Sequence, residues 1–297
     1  MNVQSEGRGA RVLLTGAWSR SGGWRYLTAP AAWGYRAALA ARRLGFAIGL
    51  LHQERVGVPV VSIGNITVGG TGKTPAALWL ADALRRSGWH PAIVTRGYGG
   101  TLGRQVITVG TGGFVLATPD KAGDEAVLLA DRFPGPVVAG ADRVVAARTA
   151  VADHDADLII LDDGFQHWRL ARDLDIVLID GRTGFGNGAL LPAGPLREPV
   201  RALRRAGAIV VTKALRAAPI ADMVAHFAVD VPVFIAELVP RALLQVEDGS
   251  VVAHPLTALA GRRVVTVSGI AQPRSFYELL GQLDARSVEV LEFADHH

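Results

Sequence analysis

Short apolar runs alternate with amphipathic stretches along most of the chain. Residues 58–63, 92–95, 136–139, 158–161, 176–179 and 208–212 are mostly aliphatic, with the texture of strands buried on both sides. Between them, residues 75–87, 124–133, 142–153 and 198–206 space their apolar positions at helical intervals. This alternation predicts an α/β fold, a parallel sheet with helices on both faces. Residues 98–114 carry six glycines and read as a loop or hairpin insertion outside that sheet. From about residue 233 the texture changes. Strand-like runs at 231–239, 244–246, 264–267 and 288–291 accompany one helical pattern at 273–283. Three regions result: an N-terminal segment over 1–55, a central core over 56–232, and a second, smaller α/β domain over 233–297.

The N-terminal segment contains "WGYRAALAARRLGFAIGLL", residues 33–51. Arg36, Arg42 and Arg43 interrupt it, so a membrane-spanning helix is not expected. At helical spacing Trp33, Ala37, Leu44, Ile48 and Leu51 share one face, and Arg36 and Arg43 lie away from it. Two readings fit: a helix lying in a membrane interface with its arginines toward anionic headgroups, or a helix packed on its own domain. No signal peptide is expected at the N-terminus, which lacks a compact apolar region before a small-residue cleavage site.

Composition narrows the chemistry. The 297 residues are 49% hydrophobic, enough for one large domain or one plus a smaller one. There is no cysteine, which excludes disulfides and thiolate sites. Net charge is +4, and of the 31 basic residues only Lys73, Lys121 and Lys213 are lysine. No basic run is interleaved with aromatics, so nucleic acid is not an expected partner. Anionic lipid or a phosphorylated substrate remains compatible with the charge.

The stretch "VGGTGKTP", residues 68–75, resembles a phosphate-binding loop. It follows a strand pattern and opens a helix pattern, the context such a loop requires. The first position of G-x-x-x-x-G-K-[ST] falls on Thr67, where glycine is usual. Thr67, Val68, Gly69, Gly70, Thr71 and Gly72 would wrap the phosphates, with backbone N–H groups converging on their oxygens. Lys73 would reach the β- and γ-phosphates of ATP, and the Thr74 hydroxyl would bind Mg²⁺. A carboxylate at the end of a neighbouring strand should complete the Mg²⁺ shell. Asp162 and Asp163 supply it, at the end of the apolar run 158–161.

Two functions fit a nucleotide loop. One is a membrane-associated ATPase switch of the ParA/MinD type, whose loop places a second lysine just before the glycine pair. Val68 stands there instead. The other is a small-molecule kinase, which needs a base near the γ-phosphate. Asp124, opening a helix pattern, fits that role but also fits simple complementation of the helix N-terminus. An imidazole paired with a carboxylate would make a good proton acceptor, and a His-His pair closes the sequence.

Seven motifs occur in order: "VPVVSIGNITVGGTGKTP" at 58–75, "RGYGG" at 96–100, "GDEAVLLA" at 123–130, "AGADRVVAA" at 139–147, "LDDGFQH" at 161–167, "LLPAGPLREP" at 190–199 and "FADHH" at 293–297. Over roughly residues 25–297 the chain resembles the tetraacyldisaccharide 4′-kinase family, the lipid A 4′-kinases of Gram-negative bacteria. Thr67 is usual at the first loop position of that family. The resemblance implies transfer of the ATP γ-phosphate to the 4′-hydroxyl of a tetraacylated glucosamine disaccharide 1-phosphate, giving lipid IVA. It implies a peripheral enzyme on the cytoplasmic face of the inner membrane, with no obligate protein partner. It favours the interfacial reading of the N-terminal helix. By match to the motifs, Asp124 is the base, paired with His296. Lys73 and Thr74 hold phosphates and Mg²⁺, and Asp162 and Asp163 lie near the metal. Arg143, Glu198 and His167 are candidate substrate contacts. The family continues past the Asp-His pair, so a chain cut short at its C-terminus is expected.

Overall fold

The computed structural model describes residues 24–213, 217–237, 239–248, 250–269 and 273–293. Two compact units divide the chain at Ala236 and Glu237. The larger unit is built on one nine-stranded sheet. Its strands are β1 (Val60–Gly64), β2 (Pro91–Thr95), β3 (Val106–Thr111), β4 (Phe114–Val115), β5 (Val137–Gly140), β6 (Leu158–Asp162), β7 (Leu174–Asp180), β8 (Ala208–Thr212) and β9 (Val233–Ala236). Their order is β4-β3-β5-β2-β6-β1-β7-β8-β9. From β5 to β9 every pairing is parallel.

The aliphatic runs form strands because both sheet faces are covered. Leu158 and Ile160 of β6 pack on one side with Ala77, Ala81, Leu129 and Phe133. Ile159 and Leu161 pack on the other with Val144, Ala147 and Ala150. The first side is roofed by α2 (Lys73–Arg86) and α4 (Asp124–Arg132), the second by α5 (Arg143–His154). Alanines at the contacts, such as Ala77 and Ala81 one turn apart, let α2 lie close on the sheet while Asp82, Arg85 and Arg86 stay on its outer side. Each buried Ile or Leu contributes roughly 1.5–3 kcal/mol relative to exposure.

The structure corrects several sequence expectations. Residues 98–105 form a loop and a hairpin follows, as expected, but the hairpin is part of the sheet: β3 pairs antiparallel with β5, and β4 folds back on β3. Residues 198–206 make only a short 3₁₀ helix, Val200–Arg205, after an extended Pro199. The strand at Val233–Ala236, assigned from sequence to the smaller domain, pairs with β8 and closes the large sheet. The N-terminal helix, α1 (Trp24–Ala47), starts earlier than the 33–51 pattern and stops before Gly49, whose φ is 74°. Ile48 and Leu51 therefore lie beyond its end.

The remaining helices of the larger unit are the single turn α3 (Pro119–Ala122) and α6 (Ala217–Phe227). The unit from Glu237 contains an antiparallel hairpin, β10 (Leu243–Glu247) with β11 (Ser250–His254), and a parallel pair, β12 (Arg263–Ser268) with β13 (Arg286–Glu292). Helix α7 (Pro273–Gln282) connects the parallel pair and packs on β13. No helix among the described residues is long and apolar enough to cross a membrane.

Candidate active site

The carboxyl ends of β1 and β6, neighbours in the sheet, bring the glycine-rich loop beside the two acids. That is where open α/β sheets place ligands. Gly72 precedes α2 with φ 87°, a left-handed turn that glycine adopts without strain, and Lys73 and Thr74 begin the helix. Thr71 is buried, and its hydroxyl accepts from Asn65 Nδ2 at 3.1 Å. Thr67 is buried and bridges Leu196, while Val68 N donates to Pro195 O at 2.8 Å and Arg197 N to Ile66 O at 2.8 Å. The loop entrance is thus paired with the "GPLRE" motif across more than a hundred residues of sequence. Gly69 and Gly70 form the exposed tip.

Lys73 Nζ lies 3.7 Å from Asp163 Oδ1. Burial pushes the Asp163 carboxyl up, but Lys73 and Arg197 outweigh it and hold the group below its ordinary value. Asp163 itself adopts φ 53°, a left-handed conformation uncommon for a non-glycine residue. Asp162 is the opposite case. It is fully enclosed, and burial raises it to about 6, with Lys73 opposing and the charges of Glu125 and Asp163 adding. Its Oδ2 accepts from Thr95 Oγ1 at 3.3 Å, while Oδ1 is buried with no protein partner. An orphaned buried carboxylate oxygen is costly unless a further group satisfies it.

Helix α4 packs on the same face of the sheet as α2, and the charge of Glu125, in its first turn beside Asp124, acts on Asp162. Asp124 is exposed as the first residue of that helix. The preceding glycine is required by packing: a Cβ on Gly123 would stand 2.1 Å from Tyr98 O. The "RGYGG" loop therefore rests on the "GDE" motif. His296, expected to pair with Asp124, lies outside the described residues.

Arg143 is buried at the start of α5. It donates to Gly140 O at 2.9 Å and Ala141 O at 3.2 Å, and its Nε has no protein partner. Burial and the nearby Arg96 lower it to about 10, while Asp162 and Asp163 pull the other way. His167 is pushed down to about 4 by burial, then by Arg143, Arg172 and Arg42, so its ring is neutral at pH 7. Its Nε2 is buried without a partner. Glu198 is buried a short distance away, accepting from Gln166 Nε2 at 3.2 Å and Arg205 Nη2 at 2.8 Å. Arg205 in turn lies 4.4 Å from the Phe165 ring centroid and 4.3 Å from that of Trp168.

Sequence reasoning passed over Arg197, whose guanidinium binds Asp163, in favour of its neighbour Glu198. It also missed Asn65 and Arg96. All three stand inside the motifs that carried the family resemblance, so the signal was present but did not discriminate among adjacent polar residues.

Helix α1 borders a shallow cleft whose walls include Arg36, Arg43, Arg201, Trp168 and Glu198. Tyr35 Oη donates to Arg197 O at 2.8 Å, and Arg42 Nη2 to Gln166 O at 2.8 Å. Ala32 is buried and Tyr35, Leu39 and Phe46 are half-buried against the core. Trp33, Ala37 and Leu44 face away and are exposed, as are Ile48 and Leu51 just after the helix.

A family model described as tetraacyldisaccharide-1-P 4′-kinase (LpxK) matches residues 24–297. The chain belongs to the tetraacyldisaccharide 4′-kinase family. A tetraacyldisaccharide 4′-kinase of Anaeromyxobacter dehalogenans (strain 2CP-C) is 47% identical over 270 residues, covering 89% of this chain and 70% of that one. One from Thiobacillus denitrificans is 39% identical over 288 residues, covering 96% of this chain and 83% of that one. The crystal structure of an "apo" form of LpxK from Aquifex aeolicus in complex with ATP superposes with a TM-score of 0.77 at 32% identity, over 92% of this chain and 83% of that one. Membership in the tetraacyldisaccharide 4′-kinase family makes the chain an ATP-dependent kinase. It removes the support for the ATPase-switch alternative, for which Val68 already lacked the second lysine.

Proposed function

We propose that the chain transfers the γ-phosphoryl group of ATP to the 4′-hydroxyl of tetraacyldisaccharide 1-phosphate, working from the cytoplasmic face of the inner membrane. The observation that carries this reading is the convergence of Lys73, Asp162 and Asp163 at the mouth of the loop in a chain of this family. Lys73 neutralises charge on the transferring group, and the loop N–H groups hold the phosphates without reorganising during the step. Asp124 takes the proton of the 4′-hydroxyl as that oxygen bonds to the γ-phosphorus. The bond from the γ-phosphorus to the bridging oxygen breaks, and ADP leaves.

The residues present suit Mg²⁺. Thr74 and Asp162 are hard oxygen donors, and Asp162 Oδ1 is a buried acceptor that no protein group satisfies. Asp163, clamped by two cations, serves better to hold Lys73. A bound Mg²⁺ would offset negative charge on the β- and γ-phosphates. Arg143, with a buried unpaired Nε, is suited to an anionic oxygen on the same side.

The exposed face of Trp33, Ala37 and Leu44 supports docking of α1 in a membrane interface. The arginine-walled cleft beside it suits the anionic headgroup of a lipid substrate. The test is an ATP assay with and without the acylated disaccharide 1-phosphate, following γ-phosphate label into the lipid. Label must appear in the lipid and depend on Lys73. ATP hydrolysis indifferent to the lipid would sink the proposal.

A further inference from the structure

The phosphate loop must turn its N–H groups toward the nucleotide, so its carbonyls face the opposite way and need donors of their own. Two come from the end of β8. Lys213 Nζ donates to Gly70 O at 2.7 Å, and Thr212 Oγ1 to Thr71 O at 3.0 Å, with Ile179 O more distant at 3.4 Å. Lys213 Nζ also meets Asp180 Oδ2 at 2.7 Å, at the end of β7. The Asp180 side chain is 3% exposed, and its Oδ1 accepts from Arg182 N at 2.9 Å and Thr183 N at 3.3 Å. The carboxylate is thereby fixed from both oxygens and fixes the lysine.

The geometry acts through the planarity of the peptide. In a trans peptide unit C=O and N–H point in opposite directions. Holding Thr71 O on the β8 side therefore aims Gly72 N–H toward the loop's interior. Holding Gly70 O fixes the tip, which closes on itself as Thr71 N donates to Gly69 O at 3.1 Å. Gly69, Gly70 and Gly72 have no side chains with which to hold a conformation, so an ordered loop needs a brace from outside. Lys213 adopts φ 57°, a left-handed conformation that persists in a non-glycine residue where its surroundings enforce it.

We propose that Lys213, seated by Asp180 and assisted by Thr212, is a positioning residue for phosphoryl transfer, bracing the phosphate loop in the form that receives the nucleotide's polyphosphate. It rests on the loop being the ATP site, as proposed above.

The test uses the full chain with Lys213→Met, Thr212→Val and Thr212→Ser, and Lys73→Ala as the control for the site. The measurements are KM for ATP, KM for the lipid acceptor, kcat, and melting temperature without nucleotide. The brace predicts that Lys213→Met and Thr212→Val each raise the KM for ATP by about threefold or more with the acceptor KM unchanged; the nucleotide-free melting temperature falls for Lys213→Met, which strands the buried Asp180 carboxylate, and not for Thr212→Val. Thr212→Ser, which keeps the hydroxyl, restores the ATP KM. A smaller change in ATP KM overturns the proposal. So does a parallel rise in both KM values with a lowered melting temperature, which marks a merely structural role. If Lys213→Met does not fold, the Thr212 pair decides alone. If ATP binding proves indifferent to Lys73→Ala, the site reading itself fails and the brace falls with it. ATP binding that needs Lys73 but ignores Lys213 and Thr212 overturns the brace only.

Discussion

Arg197 donates from one guanidinium nitrogen to both carboxylate oxygens of Asp163, at 2.9 and 3.2 Å. Lys73 approaches the same carboxylate from another side. A carboxylate held by two cations stays ionised and is poorly suited to take a proton from a hydroxyl. On the proposed mechanism, proton removal falls to Asp124, and Asp163 is the group that aims Lys73. Arg197→Ala is expected to lower kcat about 10- to 100-fold. Arg197→Lys should recover part of this, because it keeps a positive charge beside the Asp163 carboxylate. Steady-state kinetics of both variants check the point.

Lys73→Ala and Asp162→Ala are each expected to reduce phosphoryl transfer at least about 100-fold, since each removes charge stabilisation at the transferring group or its metal. Label transfer from ATP to the lipid measures it. Wild-type turnover in either variant would contradict the loop assignment.

Asp124→Ala should lower kcat about 10²- to 10⁴-fold while leaving ATP affinity nearly unchanged, because a base acts in the transition state. Kinetics combined with an ATP-binding titration separate the two. An effect confined to the KM for ATP would move Asp124 to a binding role.

Asp162 makes stability depend on pH. Burial raises its folded-state value from 3.8 to about 6, so the folded chain binds this proton more tightly than the unfolded one. Stability contributed by the neutral acid is lost as pH rises from 3.8 through 6, and above 6 the loss is complete, on the order of 3 kcal/mol. Asp162→Asn is therefore expected to melt above wild type at about pH 7.5 without nucleotide and to lose that advantage near pH 4. A difference that does not vary with pH would mean that the ionised carboxylate is not the cause.

Trp33→Glu combined with Leu44→Glu places charge on the outward face of α1 and should weaken binding to anionic vesicles by about tenfold or more. ATP affinity should not change. Vesicle sedimentation and a nucleotide titration give the two readings, and unchanged sedimentation would argue against interfacial docking.

The sequence alone determined what depends on local chemistry. Aliphatic runs such as 158–161 are buried on both faces wherever they fall in the fold, so their strand character is legible without knowing their partners. The Gly-Lys-Thr turn is likewise local: the strand before it and the helix after it are contiguous in the chain. The Asp162–Asp163 pair followed from its place at the end of an aliphatic run.

Tertiary structure decided what depends on partners distant in the chain. Glycine-rich residues 98–114 read as a loop or hairpin outside the sheet, yet the hairpin strand β3 pairs with β5 through backbone hydrogen bonds that no side-chain pattern specifies. Arg197 and Glu198 are adjacent in one motif, and only the pairing of Pro195 and Arg197 with Ile66 and Val68 turns Arg197 onto Asp163 while Glu198 meets Gln166 and Arg205. Both faces of α1 carry apolar residues, and contact with the core selected Tyr35, Leu39 and Phe46 over Trp33 and Leu44. Lys213 was one lysine after a strand. Its ammonium reaches Gly70 across 143 positions, because the end of β8 lies two strands from the end of β1 in the folded sheet.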